Sequence, residues 1–73
     1  MFTNTEIIEK SFNLLNGRKH SHFGATTLPE IQRAVDSWNP PTPGQIRAAF
    51  ADMIKAGEMI KTSRNGYEAY EIA

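Results

Sequence analysis

The sequence predicts an α+β domain in which three helices precede a C-terminal β-hairpin. Two observations carry that expectation. A threonine followed three residues later by Glu or Gln opens each of three apolar-periodic stretches, at Thr3–Glu6, Thr27–Glu30 and Thr42–Gln45. This is the signature of a capping box, in which each side chain satisfies the other residue's backbone amide. Beyond the third stretch, Asn65-Gly66 separates two short runs of alternating character, the strongest short-range signal for a hairpin.

The first helix is expected over residues 3–17. Ile7, Ile8, Ser11, Phe12, Leu14 and Leu15 make a broad apolar stripe, with Glu6, Glu9, Lys10 and Asn13 on the opposite side. Phe2 is placed to staple against Ile7, and Asn16-Gly17 is the expected stop. Residues 18–26, RKHSHFGAT, form a connector in which Phe23 and Ala25 could make a very short strand. His20 and His22 lack the cysteines or nearby carboxylates of a metal signature and read as exposed loop histidines. Arg18 and Lys19 are candidates for phosphate contact, or cations that merely suit the helix C-terminus.

The second helix is expected over residues 27–38. Pro29 is tolerated in the first turn because its missing donor would have no intrahelical partner. Leu28, Ile31, Val35 and Trp38 follow helical spacing, and Trp38 is expected to close the core beneath the turn rather than to bind a base. Asn39-Pro40-Pro41 ends the helix.

The third helix, within PPTPGQIRAAFADMIKAG at 40–57, is the best delimited. Thr42 is the N-cap, Pro43 takes the first helical position and Gly57 is the left-handed stop. Ile46, Ala49, Phe50, Met53 and Ile54 share one face. For the hairpin at 58–73, two registers compete. A two-residue Asn-Gly loop would pair Ile60 with Glu71 and Met59 with Ile72; a three-residue loop, Arg64-Asn65-Gly66, would pair Ile60 with Tyr70. The second places Ile60, Tyr70 and Ile72 inward, and this cleaner alternation makes it the expected register.

Composition bounds the rest. Seventy-three residues, 40% of them hydrophobic, make one domain (1–73) with a single small core. With no cysteine, disulfides and thiolate metal sites are ruled out and a reducing compartment is the natural setting. No apolar run reaches membrane-spanning length and the N-terminus lacks a secretory pattern, so a cytoplasmic chain with no membrane partner is expected. Eight Lys and Arg balance eight Asp and Glu, and the pI is about 6.7. DNA-binding modules usually carry a basic excess, so any nucleic-acid surface here must arise from how the charges are distributed. No nucleophile–base pair, acid pair, phosphate-binding glycine loop or metal signature points to an enzyme or a cofactor.

The order helix, connector, helix, turn, helix, with G-E-M-I-K and a hairpin ending Y-E-A-Y-E-I, resembles the winged helix-turn-helix superfamily over nearly the whole chain. The resemblance implies that the third helix is a recognition helix and the hairpin a wing. Carried over residue by residue, it implies double-stranded DNA contacts from Thr42, Gln45, Arg47, Ala48 and Lys55 of the helix. The wing would add Lys61, Ser63, Arg64, Asn65 and Tyr67, with Arg18 and Lys19 as further phosphate contacts. It also suggests a small transcriptional regulator or accessory factor, of the compact kind found in phages, mobile elements and bacteria.

The chain departs from that pattern in one respect. The exposed side of the third helix centres on Gly44, Ala48, Ala51 and Lys55, with Arg47 and Asp52 on its flanks. Gln45 and Arg47 could read adenine or guanine and Ala48 could touch a thymine methyl, whereas Asp52 would repel phosphate. A strip of small residues equally suits a homodimer or protein partner that approaches closely through Gly44, Ala48 and Ala51. DNA binding and protein binding both remain open on the sequence.

Overall fold

A computed structural model describes residues 2–19 and 24–73. The elements in chain order are α1 (Asn4–Lys19), β1 (Thr26–Thr27), α2 (Leu28–Val35), α3 (Pro43–Lys55), β2 (Met59–Arg64) and β3 (Tyr67–Ile72). The three strands form one antiparallel sheet in the order β1-β3-β2, so β3 is central and β2 is an edge.

Local chemistry starts the helices. At α1, the Glu6 amide donates to Thr3 Oγ1 and the Thr3 amide to Glu6 Oε1, at 3.1 and 3.0 Å. At α2, the Thr27 amide donates to Glu30 Oε1 at 3.1 Å. At α3, the Gln45 amide donates to Thr42 Oγ1 at 3.2 Å and the Thr42 amide to Gln45 Oε1 at 2.8 Å. The end of α3 is equally explicit. The Glu58 amide donates to the Met53 carbonyl and the Gly57 amide to that of Ile54. This Schellman pattern needs a left-handed residue, and Gly57 has φ 79°.

Ile7 and Leu15 of α1, Leu28, Ile31 and Val35 of α2, and Ile46, Ala49 and Phe50 of α3 meet Met59 and Tyr70 of the sheet in one core. Phe50 and Tyr70 lie edge to face, centroids 5.1 Å apart at 67°, a geometry favoured by the ring quadrupoles. Ser11 is buried within α1 and returns its hydroxyl to the Ile7 carbonyl at 2.7 Å. No helix of the described residues is long and apolar enough to cross a membrane.

Several boundaries differ from the sequence expectation. α1 runs through Asn16-Gly17 to Lys19, because glycine in a right-handed helix lowers stability without forcing a stop. Phe12 of its expected apolar stripe is exposed. The short strand is Thr26–Thr27, with Ala25 just before it; Phe23, like His20 and His22, lies outside the described residues. α2 stops at Val35, where Asp36 Oδ1 accepts from the amides of Trp38 and Asn39 at 2.9 and 3.1 Å. The carboxylate thus competes with the helix for those donors. Trp38 is consequently 95% exposed, and Pro41 takes the buried place beneath the turn. Gln32 Nε2 ties that turn to α2 by donating to the Pro41 carbonyl at 2.8 Å.

The hairpin takes the two-residue loop. Arg64 pairs with Tyr67, Lys61 with Tyr70, Ile60 with Glu71 and Met59 with Ile72. Asn65 and Gly66 have φ of 54° and 83°, the type I′ pair whose twist matches the flanking strands. Met59 is therefore the buried residue of β2 and Ile60 is 47% exposed. Tyr70 and Ile72 remain on the inward side. Turn chemistry prevails over alternation here because an edge strand loses little by turning one isoleucine outward.

Candidate nucleic-acid interface

α3 presents two unlike sides. Ile46, Ala49 and Phe50 are buried, whereas Gly44, Arg47, Ala48, Ala51, Asp52 and Lys55 are exposed. The small residues produce a smooth outer strip with cations on it. Two of the polar side chains singled out from the sequence are already engaged. Gln45 spends its amide oxygen on the Thr42 cap. Arg47 reaches across to β3, with Nε 3.1 Å from both Glu68 oxygens and Nη2 3.0 Å from Oε1. That contact raises the guanidinium's pKa through the Glu68 hydrogen bond and charge.

Glu68 is the hub of the junction between α3 and the hairpin. It also accepts from the Tyr70 hydroxyl and sits 3.9 Å from Lys61 Nζ. The hydrogen bonds from Arg47 and then Tyr70 hold its carboxyl below the ordinary range. Burial, then the bond to Glu68, pushes the Tyr70 phenol upward.

A second hub lies beside the loop of the hairpin, where α2 meets Arg64. Glu30 takes the Thr27 amide and an ion pair from Arg18, and Arg64 Nη1 stands 4.0 Å away. Arg64 Nη1 also donates to the Ala25 carbonyl at 3.1 Å. Burial works against ionising Glu30, but the Thr27 amide and Arg18 outweigh it and keep the carboxyl below its usual range. Lys19 Nζ donates to the Ala73 carbonyl at 2.7 Å.

The candidate cations thus divide by environment. Arg18 and Arg64 gather at Glu30, Arg47 and Lys61 at Glu68, and Lys55 stands exposed at the end of α3. Ser63, Asn65 and Tyr67 are exposed on the hairpin. The hollow before the α3 N-terminus, lined by Thr42, Gln45, Asn39 and Phe2, also holds Glu6. A carboxylate there opposes an anion at that helix end. What sequence reasoning missed are Glu30 and Glu68 as organisers and Trp38 as a projecting side chain. Among the described residues no group of three or more His, Asp or Glu could hold a metal ion.

Compared with known protein families, with curated proteins and with solved structures, the chain matches none.

Proposed function

We propose that the chain is a winged-helix module that binds double-stranded DNA, acting as a small regulator or accessory factor in the cytoplasm. In this reading α3 is the recognition helix and the β2–β3 hairpin the wing. The element order α1-β1-α2-α3-β2-β3, with β3 central, is compatible with that layout. The observation that carries the reading is the outer face of α3, where Gly44, Ala48 and Ala51 leave room for close approach and Arg47 and Lys55 supply cations. Arg64 and Lys61 extend the positive surface along the hairpin. Glu68 and Glu30 would hold Arg47 and Arg64 in position, and each guanidinium has donors to spare for a phosphate as a second acceptor.

A competing reading has its own observation. Four of the candidate cations lie within 4.0 Å of Glu30 or Glu68, the formal net charge is zero, and Trp38 is 95% exposed. Paired charges and a projecting aromatic suit a protein partner, including a second copy meeting the Gly44–Ala48–Ala51 strip. A salt titration of binding to random-sequence duplex DNA tests the choice. A log affinity that falls linearly with log salt supports the DNA reading through counterion release. Failure to bind duplex even at low ionic strength rejects it.

A further inference from the structure

A groove of about 470 Å³ runs between the end of α1, the start of α2 and the hairpin loop, and no residue of α3 lines it. Among the described residues its walls hold three guanidiniums, Arg18, Arg33 and Arg64, against one carboxylate, Glu30. The groove is therefore positive within a chain that is neutral overall. Glu30 organises the cations more than it cancels them: it pairs with Arg18 and lies 4.0 Å from Arg64 Nη1. The Ala25 carbonyl fixes the same Arg64 nitrogen from the other side at 3.1 Å.

A guanidinium so held keeps further N–H donors for a ligand, and ordering it beforehand lowers the entropy lost on binding. Arg33 stands exposed on α2 and adds a cation that makes no ion pair among the described residues. At the hairpin end of the groove Tyr67 is 55% exposed, with the Asn65 amide beside it. Cations that take a phosphate next to an aromatic face that takes a base are the elements by which nucleotides are held. A purely apolar ligand would leave the guanidiniums unmatched, and a metal ion would meet three like charges.

We propose that this groove binds a nucleotide unit, its phosphate at Arg33 and Arg64 and its base against Tyr67. The unit could be free or part of a strand, since both present a phosphate beside a base. The site stands apart from the outer face of α3 and does not require that face to enter a duplex.

The test is amide chemical-shift mapping of the full chain during separate titrations with inorganic phosphate, AMP and a single-stranded oligodeoxyadenylate. Saturable shifts confined to the groove, with Glu30, Arg33, Arg64, Asn65 and Tyr67 among them, are expected with AMP, several-fold tighter than with phosphate. Arg33→Ala and Tyr67→Ala should each weaken AMP several-fold, while Tyr67→Phe keeps the stacking face and the affinity. Both residues are exposed, so unchanged spectra elsewhere establish that the variants are folded. Response to the oligonucleotide alone would also support the site and assign it to a strand. AMP and the oligonucleotide both binding no tighter than phosphate, or no localised response to any of the three, would overturn it. Duplex binding through α3 should survive Arg33→Ala, which lies outside the proposed duplex contacts, so failure of the groove and failure of the DNA reading are separately visible.

Discussion

Arg47 on α3 and Glu68 on β3 form a two-pronged ion pair across the junction of helix and hairpin, each prong 3.0–3.1 Å long. The same carboxylate accepts the Tyr70 hydroxyl, whose ring packs on Phe50. A surface charge that would face a ligand is thus coupled to the middle of the core through one glutamate.

Glu68→Gln should release Arg47 and Lys61 while leaving a hydrogen-bonding side chain. The Arg47 side chain is 53% exposed, and exposed pairs contribute only about 0–1 kcal/mol, so the melting temperature should fall slightly. If these cations meet phosphate, duplex affinity should rise and its salt dependence steepen. Fluorescence anisotropy at several salt concentrations checks this. Unchanged affinity together with an unchanged salt slope would mean that neither Arg47 nor Lys61 contacts DNA.

Acid should weaken the fold through its hydrogen-bonded carboxylates, Glu30 and Glu68 among them. Glu68, through Arg47 and Tyr70, and Glu30, through the Thr27 amide and Arg18 despite burial, both titrate below the ordinary 4.5. A carboxyl whose folded pKa is depressed stabilises above its unfolded value and loses that contribution as pH falls through the folded one. The urea midpoint should therefore decline as pH drops below about 4.5. The decline should be smaller in the double variant Glu30→Gln, Glu68→Gln.

At the hairpin tip, Gly66 has φ 83° and a Cβ added there would meet nothing within 4 Å. Any cost of Gly66→Val is then a backbone cost of about 1–2 kcal/mol, and Gly66→Asn should cost less. Cross-strand nuclear Overhauser contacts should join Thr62 to Ala69 and Lys61 to Tyr70. Contacts that instead join Ile60 to Tyr70 as direct partners would show the longer loop.

Two aromatic truncations should behave oppositely. Phe50 is fully buried against Tyr70, and removing such a ring costs about 3–5 kcal/mol, comparable with the stability of a small domain. Trp38→Ala should leave the melting temperature unchanged, since the ring is 95% exposed. Trp38 is also the single tryptophan, so its emission should match that of tryptophan in water. Blue-shifted emission would place the ring against a neighbour.

What was legible in the sequence follows from how far each signal reaches. Thr3, Thr27 and Thr42 find their capping partners three residues away, so the helix starts could be read directly. Gly57 announces the end of α3 because its left-handed φ serves a local hydrogen-bond pattern. The end of α2 was obscured because Trp38 keeps the apolar period while Asp36 captures the amides that would continue the helix. In the hairpin, the preference for clean alternation outweighed Asn65-Gly66, whose two positive φ values demand the shorter loop. Glu68 lies 21 positions from Arg47, and Ala25 lies 39 from Arg64. Periodicity carries no information about such pairings, so the partners that hold the candidate cations emerged only with the fold.

Ala48 separates the two proposed functions. It is exposed on the outer strip of α3, between the buried Ile46 and Ala49 turns and away from both glutamate hubs. Substituting a good helix former there leaves the core untouched, so Ala48→Arg and Ala48→Glu should both fold with near-native melting temperatures. If this strip enters a DNA groove, arginine adds a cation facing phosphates and glutamate adds an anion. Duplex affinity should then rise with Ala48→Arg and fall with Ala48→Glu, the difference shrinking as salt is added. If the strip meets another protein surface, both side chains obstruct close approach, and complex formation should fail with either sign of charge. Sedimentation analysis of the chain alone and anisotropy with duplex DNA read these outcomes independently. A response that depends on size but not on charge rejects DNA as the partner of α3.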